Sequence, residues 1–448
     1  MAKMKIKKLW IILSVVLLVL IFSGGLMWHY WRMDASPIVD DYTVEDLYKV
    51  PDDCEASFAL LEKLSFKSGS RVLYDINTFE KYCSPDGMRW QDEKKYKQDN
   101  TLSVAATPEL GLSEEDALVF ELASLKIQKA PLAYAEHKKF FMKHADRFDQ
   151  AWENIQKVWD VFLQLNEYEE IADLSGLKID ETRDYLAGMR GIVQLASIHS
   201  YYLWSQGNQH EALKIQQICN SVVKKSLPAA RVMILRLVLN GMIRETQMMG
   251  YYFCNDKECS VDVLQELKEN TVSFNENELS IHNSLIAEYL QFKETLEGEG
   301  YRKTWEEIGG ACKPNSSKRL YRSQIFAEDK DMIRGVWSAD WMNCFDVFEA
   351  DKSHKLSKTY KAYNPVGSRL IYILMPQFDR VGFLFERMDD CNEALRIMTE
   401  ARLNPDYDIQ EALKEMDLEI DYDNKCLKGK ESRYDGVTIP FDAEVFGG

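Results

Sequence analysis

The stretch LWIILSVVLLVLIFSGGLMW, from Leu9 to Trp28, decides the fold of this chain of 448 residues. It contains no charged residue, and a helix of about 20 residues crosses the roughly 30 Å hydrocarbon core of a bilayer. Trp28 ends the stretch and is followed by Tyr30 and Trp31, and such aromatic rings favour the membrane–water interface. We therefore expect residues 9–28 to form a transmembrane helix.

Basic residues on either side of this stretch predict its orientation. Arg32 is the one basic residue close behind it, whereas four lysines precede it: Lys3, Lys5, Lys7 and Lys8. The positive-inside rule therefore places residues 1–8 in the cytoplasm as a short tail and exports everything after residue 28. We expect a single-pass protein of a bacterial inner (plasma) membrane.

A cleaved secretory signal is the alternative reading of the same stretch. Its apolar region would run from Leu9 to Phe22, and Ser23-Gly24-Gly25 supplies small residues for cleavage. The protein would then be secreted. We favour the anchor because the apolar run continues through Leu26 and Met27 and reaches spanning length.

The exported part is strongly acidic. Beyond the tail, 51 basic residues face 72 acidic ones, a formal charge of −21. Nucleic-acid binding depends on a basic surface that neutralises phosphates, so this balance argues against a nucleic-acid partner.

Nine cysteines are present, and an exported protein meets an oxidising environment in which some of them pair. The best candidate disulfide is Cys254–Cys259, across the polar sequence Asn255 to Glu258, and Cys54–Cys83 and Cys391–Cys426 are weaker candidates. Cys219 lies on a predicted helix face, where a small buried side chain is expected. The spacing does not fit a zinc site, and we predict neither a metal nor a cofactor.

Aromatic periodicity gives the clearest helical signal after the membrane stretch. Apolar residues recur at alternating intervals of four and three, which keeps one face of a long helix apolar. A core stripe explains this spacing better than a cofactor-binding surface does. The residues are Phe141, Ala145, Phe148, Trp152, Ile155, Trp159 and Phe162.

The sequence around Gly207 predicts a helical hairpin. Gly207 follows a helix predicted from Asp180 to Gln206, and a small residue, Ala212, comes five positions later. This pattern resembles the turn of a tetratricopeptide hairpin, although Ala196 and Ser200 occupy the earlier Trp and Gly positions of that repeat. We expect stacked hairpins without a regular repeat.

Capping and turn residues divide the rest of the chain. We expect helices to begin at Pro228, Ser260 and Asn275, and a β-hairpin to turn at Lys428-Gly429-Lys430. The predicted organisation is a mixed membrane-proximal segment at 29–112, helical hairpins at 113–298, a linker at 299–362, and a helical segment with a small hairpin at 363–448. The fold class is mainly α, with a solenoid-like exported part.

Two short segments resemble a pattern found in uncharacterised single-pass bacterial envelope proteins. They are Lys313-Pro314-Asn315 and Tyr363-Asn364-Pro365-Val366-Gly367, in the last third of the chain. In the second, Asn364 is expected to cap a helix that begins at Pro365. The resemblance implies an envelope location and no particular activity.

This sequence contains no complete catalytic motif among those considered. It has no Gly-x-Ser-x-Gly, no His-Glu-x-x-His and no phosphate-binding Gly-rich loop. Ser221-Val222-Val223-Lys224 matches Ser-x-x-Lys of penicillin-binding enzymes but lacks the partner motifs that should follow it. His137 and His144 share a helix face without the Glu-x-x-His partners of a metal pair, so we expect them to face solvent. No catalytic residue is assigned.

Basic residues concentrate around the predicted linker of this acidic chain. We predict a contact with anionic lipid head groups or an acidic partner there, against the default of a solvated surface. The residues are Lys318, Arg319, Arg322, Lys352, Lys355, Lys358 and Lys361.

Together these features favour a membrane-anchored envelope scaffold or a protein- or peptide-binding module without catalysis, because stacked hairpins create extended grooves. The alternative is a cell-envelope hydrolase acting on glycan or peptide, which would require a pocket that gathers carboxylates or a nucleophile with its base.

Overall fold

The computed structural model describes residues 16, 18–26, 29, 33–38, 41–43, 54–64, 112, 114–174, 184–271, 273–297, 313–326, 348–349, 352–364, 368, 378–429 and 438–446. This part of the chain is mainly helical, as predicted. Its helices are α1 (Cys54–Glu62), α2 (Glu114–Lys129), α3 (Tyr134–Lys143), α4 (Ala145–Leu165), α5 (Asp184–Ser205), α6 (Gln209–Ser226), α7 (Met233–Cys254), α8 (Val261–Asn270), α9 (Glu276–Leu279), α10 (His282–Glu297), α11 (Pro314–Ile325), α12 (Lys358–Tyr363), α13 (Phe378–Leu403) and α14 (Ile409–Glu415).

The chain divides into two compact units. The first unit comprises residues 1–48, 177–179 and 285–378, and the second comprises 49–176, 180–284 and 379–448. Most of α10, together with α11 and α12, belongs to the first unit, and the hairpins belong to the second.

The predicted turn at Gly207 is present in the second unit. Gly207 has φ +85°, and its N–H donates to Trp204 O while Asn208 N–H donates to Leu203 O. These two bonds form the Schellman motif that ends a helix. Helix α5 then packs antiparallel on α6, with Ala212 fully buried where the two helices meet.

The predicted aromatic stripe is core, but it belongs to two helices. The backbone breaks at His144, between α3 and α4, so that Phe141 lies on one helix and Phe148 on the next. Both rings are buried, with centroids 5.1 Å apart. Farther along α4, Ile155, Trp159 and Phe162 are buried as well.

Helix boundaries differ from the predictions at two places. Helix α7 begins at Met233 and not at Pro228, which lies in a preceding turn. Asn275 does cap a helix, with Glu278 completing a capping box, but that helix, α9, ends at Leu279 and α10 begins afresh at His282. The prediction that Ser260 begins a helix is confirmed, because it is the N-cap of α8.

Helix α7 is the central helix of the second unit. It contacts α5, α6 and α8, and Gln247 Nε2 donates to Met388 O (2.7 Å) and to Asn392 Oδ1 (2.9 Å) on α13. Arg236 of α7 is 1% exposed, and its guanidinium donates to the carbonyls of Glu278 and Leu227. Its charge is thus stabilised by backbone dipoles inside the unit.

A small antiparallel sheet closes the C-terminal end, as predicted. Its strands are β3 (Leu418–Asp421), β4 (Cys426–Gly429) and β5 (Ile439–Pro440), in that order. The hairpin turns between Asp421 and Cys426, where Asn424 N donates to Asp421 Oδ1 (3.0 Å). The turn predicted at Lys428-Gly429-Lys430 is wrong, because Lys428 and Gly429 belong to β4 and pair with β3.

In the first unit, β1 (Phe348–Glu349) and β2 (Lys352–Leu356) form a two-stranded antiparallel pair directly before α12. Asn364 ends α12, and its carbonyl accepts from Ser368 N (2.8 Å), as the first bond of a further helix requires. Residues 365–367 lie outside the described residues.

Much of the predicted transmembrane stretch also lies outside them. Residues 18–26 are helical, and five consecutive apolar side chains, from Leu18 to Phe22, are 60–72% exposed. Within the described part of the chain, no helix has the length and apolar character that a membrane crossing requires.

Candidate functional site

The segment that follows the apolar stretch is bound by side chains of the first unit. We call residues 33–38 and 41–43 the strap. It begins with Met33, five residues after Trp28, and carries two aspartates, Asp34 and Asp41. Both are held by residues more than 240 positions later in the sequence, so the strap is an integral part of this unit.

Asp34 caps helix α11 from outside that helix. Its two carboxylate oxygens accept from Asn315 N (2.7 Å) and Ser316 N (3.0 Å), whereas the sequential N-cap, Lys313, makes no side-chain cap bond. Burial raises the pKa of Asp34, and the N–H donors act against that rise. A carboxylate at a helix N-terminus satisfies otherwise unpaired N–H groups.

Asp41 is bound by three side chains of the same unit. Oδ1 accepts from Tyr289 Oη (2.7 Å) and from Arg322 Nη1 (3.3 Å), and Oδ2 lies 2.9 Å from Lys293 Nζ. Burial acts to raise the pKa of Asp41, but hydrogen bonds from Lys293 and Tyr289 and the positive charges of Lys293 and Lys318 lower it overall. The carboxylate is therefore held in its ionised form.

Aromatic contacts complete this end of the strap. The Arg322 guanidinium lies 4.4 Å from the centre of the Tyr42 ring. That ring also contacts Phe326 and Tyr289, with centroid distances of 5.0 and 6.1 Å. The arrangement combines a cation–π contact with the Asp41 ion pair.

Side chains also bind the strap's backbone. Five of its carbonyl oxygens accept hydrogen bonds from α10, α11 and α12, which is how proteins hold an extended peptide. The bonds are Tyr363 Oη to Met33 O (2.9 Å), Asn315 Nδ2 to Ala35 O (3.0 Å), Arg319 Nε to Ser36 O (3.1 Å), Arg319 Nη2 to Pro37 O (3.0 Å) and Lys293 Nζ to Tyr42 O (3.2 Å).

The structure brings together the two segments that resemble the envelope-protein pattern. Asn364 is fully buried; its Oδ1 accepts from Lys313 N (2.9 Å), and its Nδ2 donates to Ser317 Oγ (2.7 Å) and to Tyr360 Oη (3.0 Å). The Lys313 ammonium lies 5.3 Å from the Tyr363 ring centre. These residues join α11 to α12 beneath the strap.

The predicted basic cluster separates into two groups. Lys318 and Arg322 are 4% and 7% exposed and pair with Glu297 and Asp41, respectively, while Arg319 binds strap carbonyls. Lys318 and Arg322 are engaged inside the protein, which corrects the expectation that they face a lipid or a partner, and Arg319 is half-buried. The reason is that α11 places Lys318 against Glu297 of α10, and Arg319 and Arg322 against the strap, which the sequence presents as a linker.

Two lysines of the second group are exposed. Lys358 and Lys361 are exposed on α12, whose Tyr360 and Tyr363 are buried. Lys352 and Lys355 belong to β2, and their side chains lie outside the described residues.

The predicted Cys254–Cys259 disulfide is absent from the structure. Both thiols are free and buried, and they engage different neighbours. Cys254 Sγ accepts from Thr399 Oγ1 (3.8 Å), and Cys259 Sγ donates to Ser260 O (3.7 Å). Cys219 is fully buried, as expected.

Among the described residues, the candidate catalytic side chains do not form a centre. Lys224 of the Ser-x-x-Lys sequence donates to Ser273 O (2.9 Å) and lies 3.6 Å from Glu278 Oε1. No group of three His, Cys, Asp or Glu side chains suited to a metal ion occurs among the described residues. His137, expected to face solvent, is 3% exposed and stacks on Tyr252.

An open depression of about 410 Å³ lies at the junction of α3 and α4. Its lining mixes charges of both signs with an exposed methionine, and this gives it no defined ligand chemistry. The lining residues include Met142, Lys143, His144, Asp146, Arg147 and Gln150.

Reasoning from the sequence missed the strap aspartates because Pro37 and the polar residues around it indicate a linker. One signal was available: α11 carries three basic residues within five positions in a strongly acidic chain. Such a cluster requires acidic partners, and Asp34 and Asp41 are the first acidic residues after the apolar stretch, apart from Asp40.

Comparison with known proteins adds no relative: no family model matches this chain, and neither a curated protein nor a solved structure does.

Proposed function

We propose that this protein is a noncatalytic scaffold of the bacterial cell envelope. Residues 9–28 anchor it in the membrane, and its helical part lies on the exported side. The observation that carries the proposal is the direct succession of an exposed apolar helix and the strap. Side chains from Leu18 to Phe22 leave most of their surface uncovered, and specific hydrogen bonds to the chain begin at Met33.

The exposed apolar residues support the anchor. A water-facing run of five large apolar side chains is unfavourable at about 25 cal/mol for each Å² of apolar surface. A hydrocarbon environment removes that cost. The four lysines before the run favour a cytoplasmic N-terminus.

The strap supports a scaffold role. A flexible tether would let the exported part rotate freely, whereas the bonds from Tyr363, Arg319 and Lys293 fix the strap on its unit. The helices of the first unit are thereby kept close to the end of the anchor. Helical hairpins such as α5–α6 present the elongated surfaces on which proteins and peptides bind.

Membrane retention of the full-length protein tests the anchor. We expect the protein to stay in the pellet when bacterial membranes are washed with alkaline carbonate. Leu18→Arg/Leu20→Arg is expected to release it, since each arginine in a spanning helix costs about 2.5–3.5 kcal/mol. Ile234→Arg/Val261→Arg is the matched control, because both positions are exposed and apolar outside the stretch.

Release of the wild type by carbonate, or equal retention of the Leu18→Arg/Leu20→Arg variant, would contradict the anchor. The scaffold role is tested separately by proximity labelling from the C-terminus in the native host. Labelling of exported envelope proteins is expected, and labelling confined to cytosolic proteins would exclude the role.

A further inference from the structure

We propose that the exposed face of α12 binds the anionic head groups of the membrane in which the chain is anchored, through Lys358 and Lys361. This inference rests on the proposed anchor and adds to it a lipid contact and an orientation for the first unit.

Chain length limits how far α12 lies from the bilayer. Met33 is five positions after Trp28, and an extended chain spans at most about 18 Å over that length. The head-group layer takes about 5–7 Å of this distance. Met33 therefore lies within about 12 Å of the outer edge of that layer.

The hydrogen bond between Tyr363 Oη and Met33 O holds the end of α12 beside Met33, so the distance of α12 from the bilayer is limited as well. Tyr363 is the last residue of the helix, and a six-residue helix is only about 9 Å long. The side chain of a lysine on this helix adds several ångströms of reach. These lengths allow both α12 lysines to reach lipid phosphates.

The chemistry of the exposed face suits anionic lipid. Tyr360 and Tyr363 are buried and fix the helix, whereas Lys358, Lys361 and Ala362 face outward. Neither lysine has an ion-pair partner among the described residues. This contrasts with Lys318 and Arg322 of α11, which are neutralised internally.

Nearness to the anchor favours anionic lipid over an acidic protein as the occupant of this face. The exported part carries a charge of −21 and is repelled by an anionic membrane surface. A pair of exposed lysines beside the anchor offsets this repulsion locally, because each basic residue near an anionic surface is attracted to it within about one Debye length.

Hydrogen exchange of the full-length protein in lipid nanodiscs tests the proposal. Discs of phosphatidylcholine are compared with discs that also contain phosphatidylglycerol. We expect the amides of residues 358–364 to exchange about fivefold more slowly in the anionic discs at low salt, and this difference to disappear at about 1 M salt.

Matched charge reversals complete the test. Lys358→Glu/Lys361→Glu should abolish the lipid-dependent protection, whereas Lys138→Glu/Lys139→Glu, an exposed pair on α3, should leave it intact. Unchanged exchange of α11 in the first unit and of α7 in the second verifies folding of each variant. Equal exchange of α12 in the two kinds of disc overturns the proposal, while failure to incorporate into either disc refutes the anchor.

Discussion

Arg322 and Asp41, 281 positions apart in the sequence, form an ion pair of 3.3 Å in which the two side chains are 9% and 13% exposed. The pair fastens the strap to α11. Because Lys293 and Tyr289 bind the same carboxylate, one aspartate connects the strap to two helices. Its removal is therefore the most direct perturbation of the strap.

Asp41→Asn is expected to destabilise the first unit by about 2–3 kcal/mol, because it removes the negative charge that Asp41 presents to Arg322 and Lys293. Hydrogen exchange of strap amides measures this as faster local opening. Asp406→Asn, at an exposed position, is the control and should change nothing. Strap protection that survives Asp41→Asn would show that the ion pair contributes little.

His199 makes the second unit sensitive to acid. Burial lowers its pKa to about 3, and its ring stacks on Trp152 with centroids 4.0 Å apart. An unfolded histidine has a pKa of about 6.5, so between these values only the unfolded state takes up the proton. The stability that the neutral His199 contributes is therefore fully present above pH 6.5. It is lost as the pH falls below this value, by up to about 1.4 kcal/mol per pH unit.

His199→Phe should flatten this dependence when urea unfolding is followed between pH 7 and pH 4. The phenylalanine ring keeps the stack on Trp152 but has no proton to bind. His210 gives a contrast of opposite sign: its exposed ring has a raised pKa because of the hydrogen bond to Glu266, so its contribution is lost as the pH rises. Parallel pH profiles for the wild type and His199→Phe would refute the assignment.

Gly250 is required where α7 approaches α13. A Cβ there would lie 2.4 Å from Leu395 Cδ2 and 2.9 Å from Gln216 Nε2. Gly250→Ala is expected to cost about 1–3 kcal/mol through overpacking. Gly241→Ala on the same helix has nothing within 4 Å and should instead stabilise by up to about 1 kcal/mol. Equal shifts in the denaturation midpoint would contradict this packing.

Cys254 and Cys259 are expected to remain thiols. Burial raises the pKa of each to about 12, which keeps both protonated and slow to react. Iodoacetamide at pH 8 should modify them only after the protein is unfolded in urea, as measured by peptide mass spectrometry. A Cys254–Cys259 cross-linked peptide in the non-reduced protein would favour the sequence-based pairing over the structure.

Local sequence signals predicted the hairpins well. Gly207 and Ala212 specify the α5–α6 turn within a few residues, and the spacing from Phe141 to Phe162 specifies which face is buried. The break at His144 was not predicted, because both helices keep the same apolar periodicity across it. Periodicity reports which side is buried and says little about where a helix is interrupted.

Such local signals did not predict the long-range contacts. Asp34 and Asp41 lie among turn-forming residues, and nothing near them indicates that α11 provides their partners. The same lack of long-range information explains Lys318 and Arg322, whose charges suggest a surface although their partners, Glu297 and Asp41, are provided by α10 and the strap. The C-terminal turn lies after Asp421 and not at Gly429, because the Asp421 side chain makes the turn's hydrogen bonds.

The sidedness of the C-terminus tests the central claim most directly. Fusions of the full-length chain to a phosphatase active only outside the cytoplasm, and to a fluorescent protein that folds only inside it, report opposite locations. We predict that the phosphatase fusion is active and that the fusion to the fluorescent protein does not fluoresce. A fluorescent fusion with an inactive phosphatase would place the helical units in the cytosol and contradict both the scaffold role and the proposed orientation.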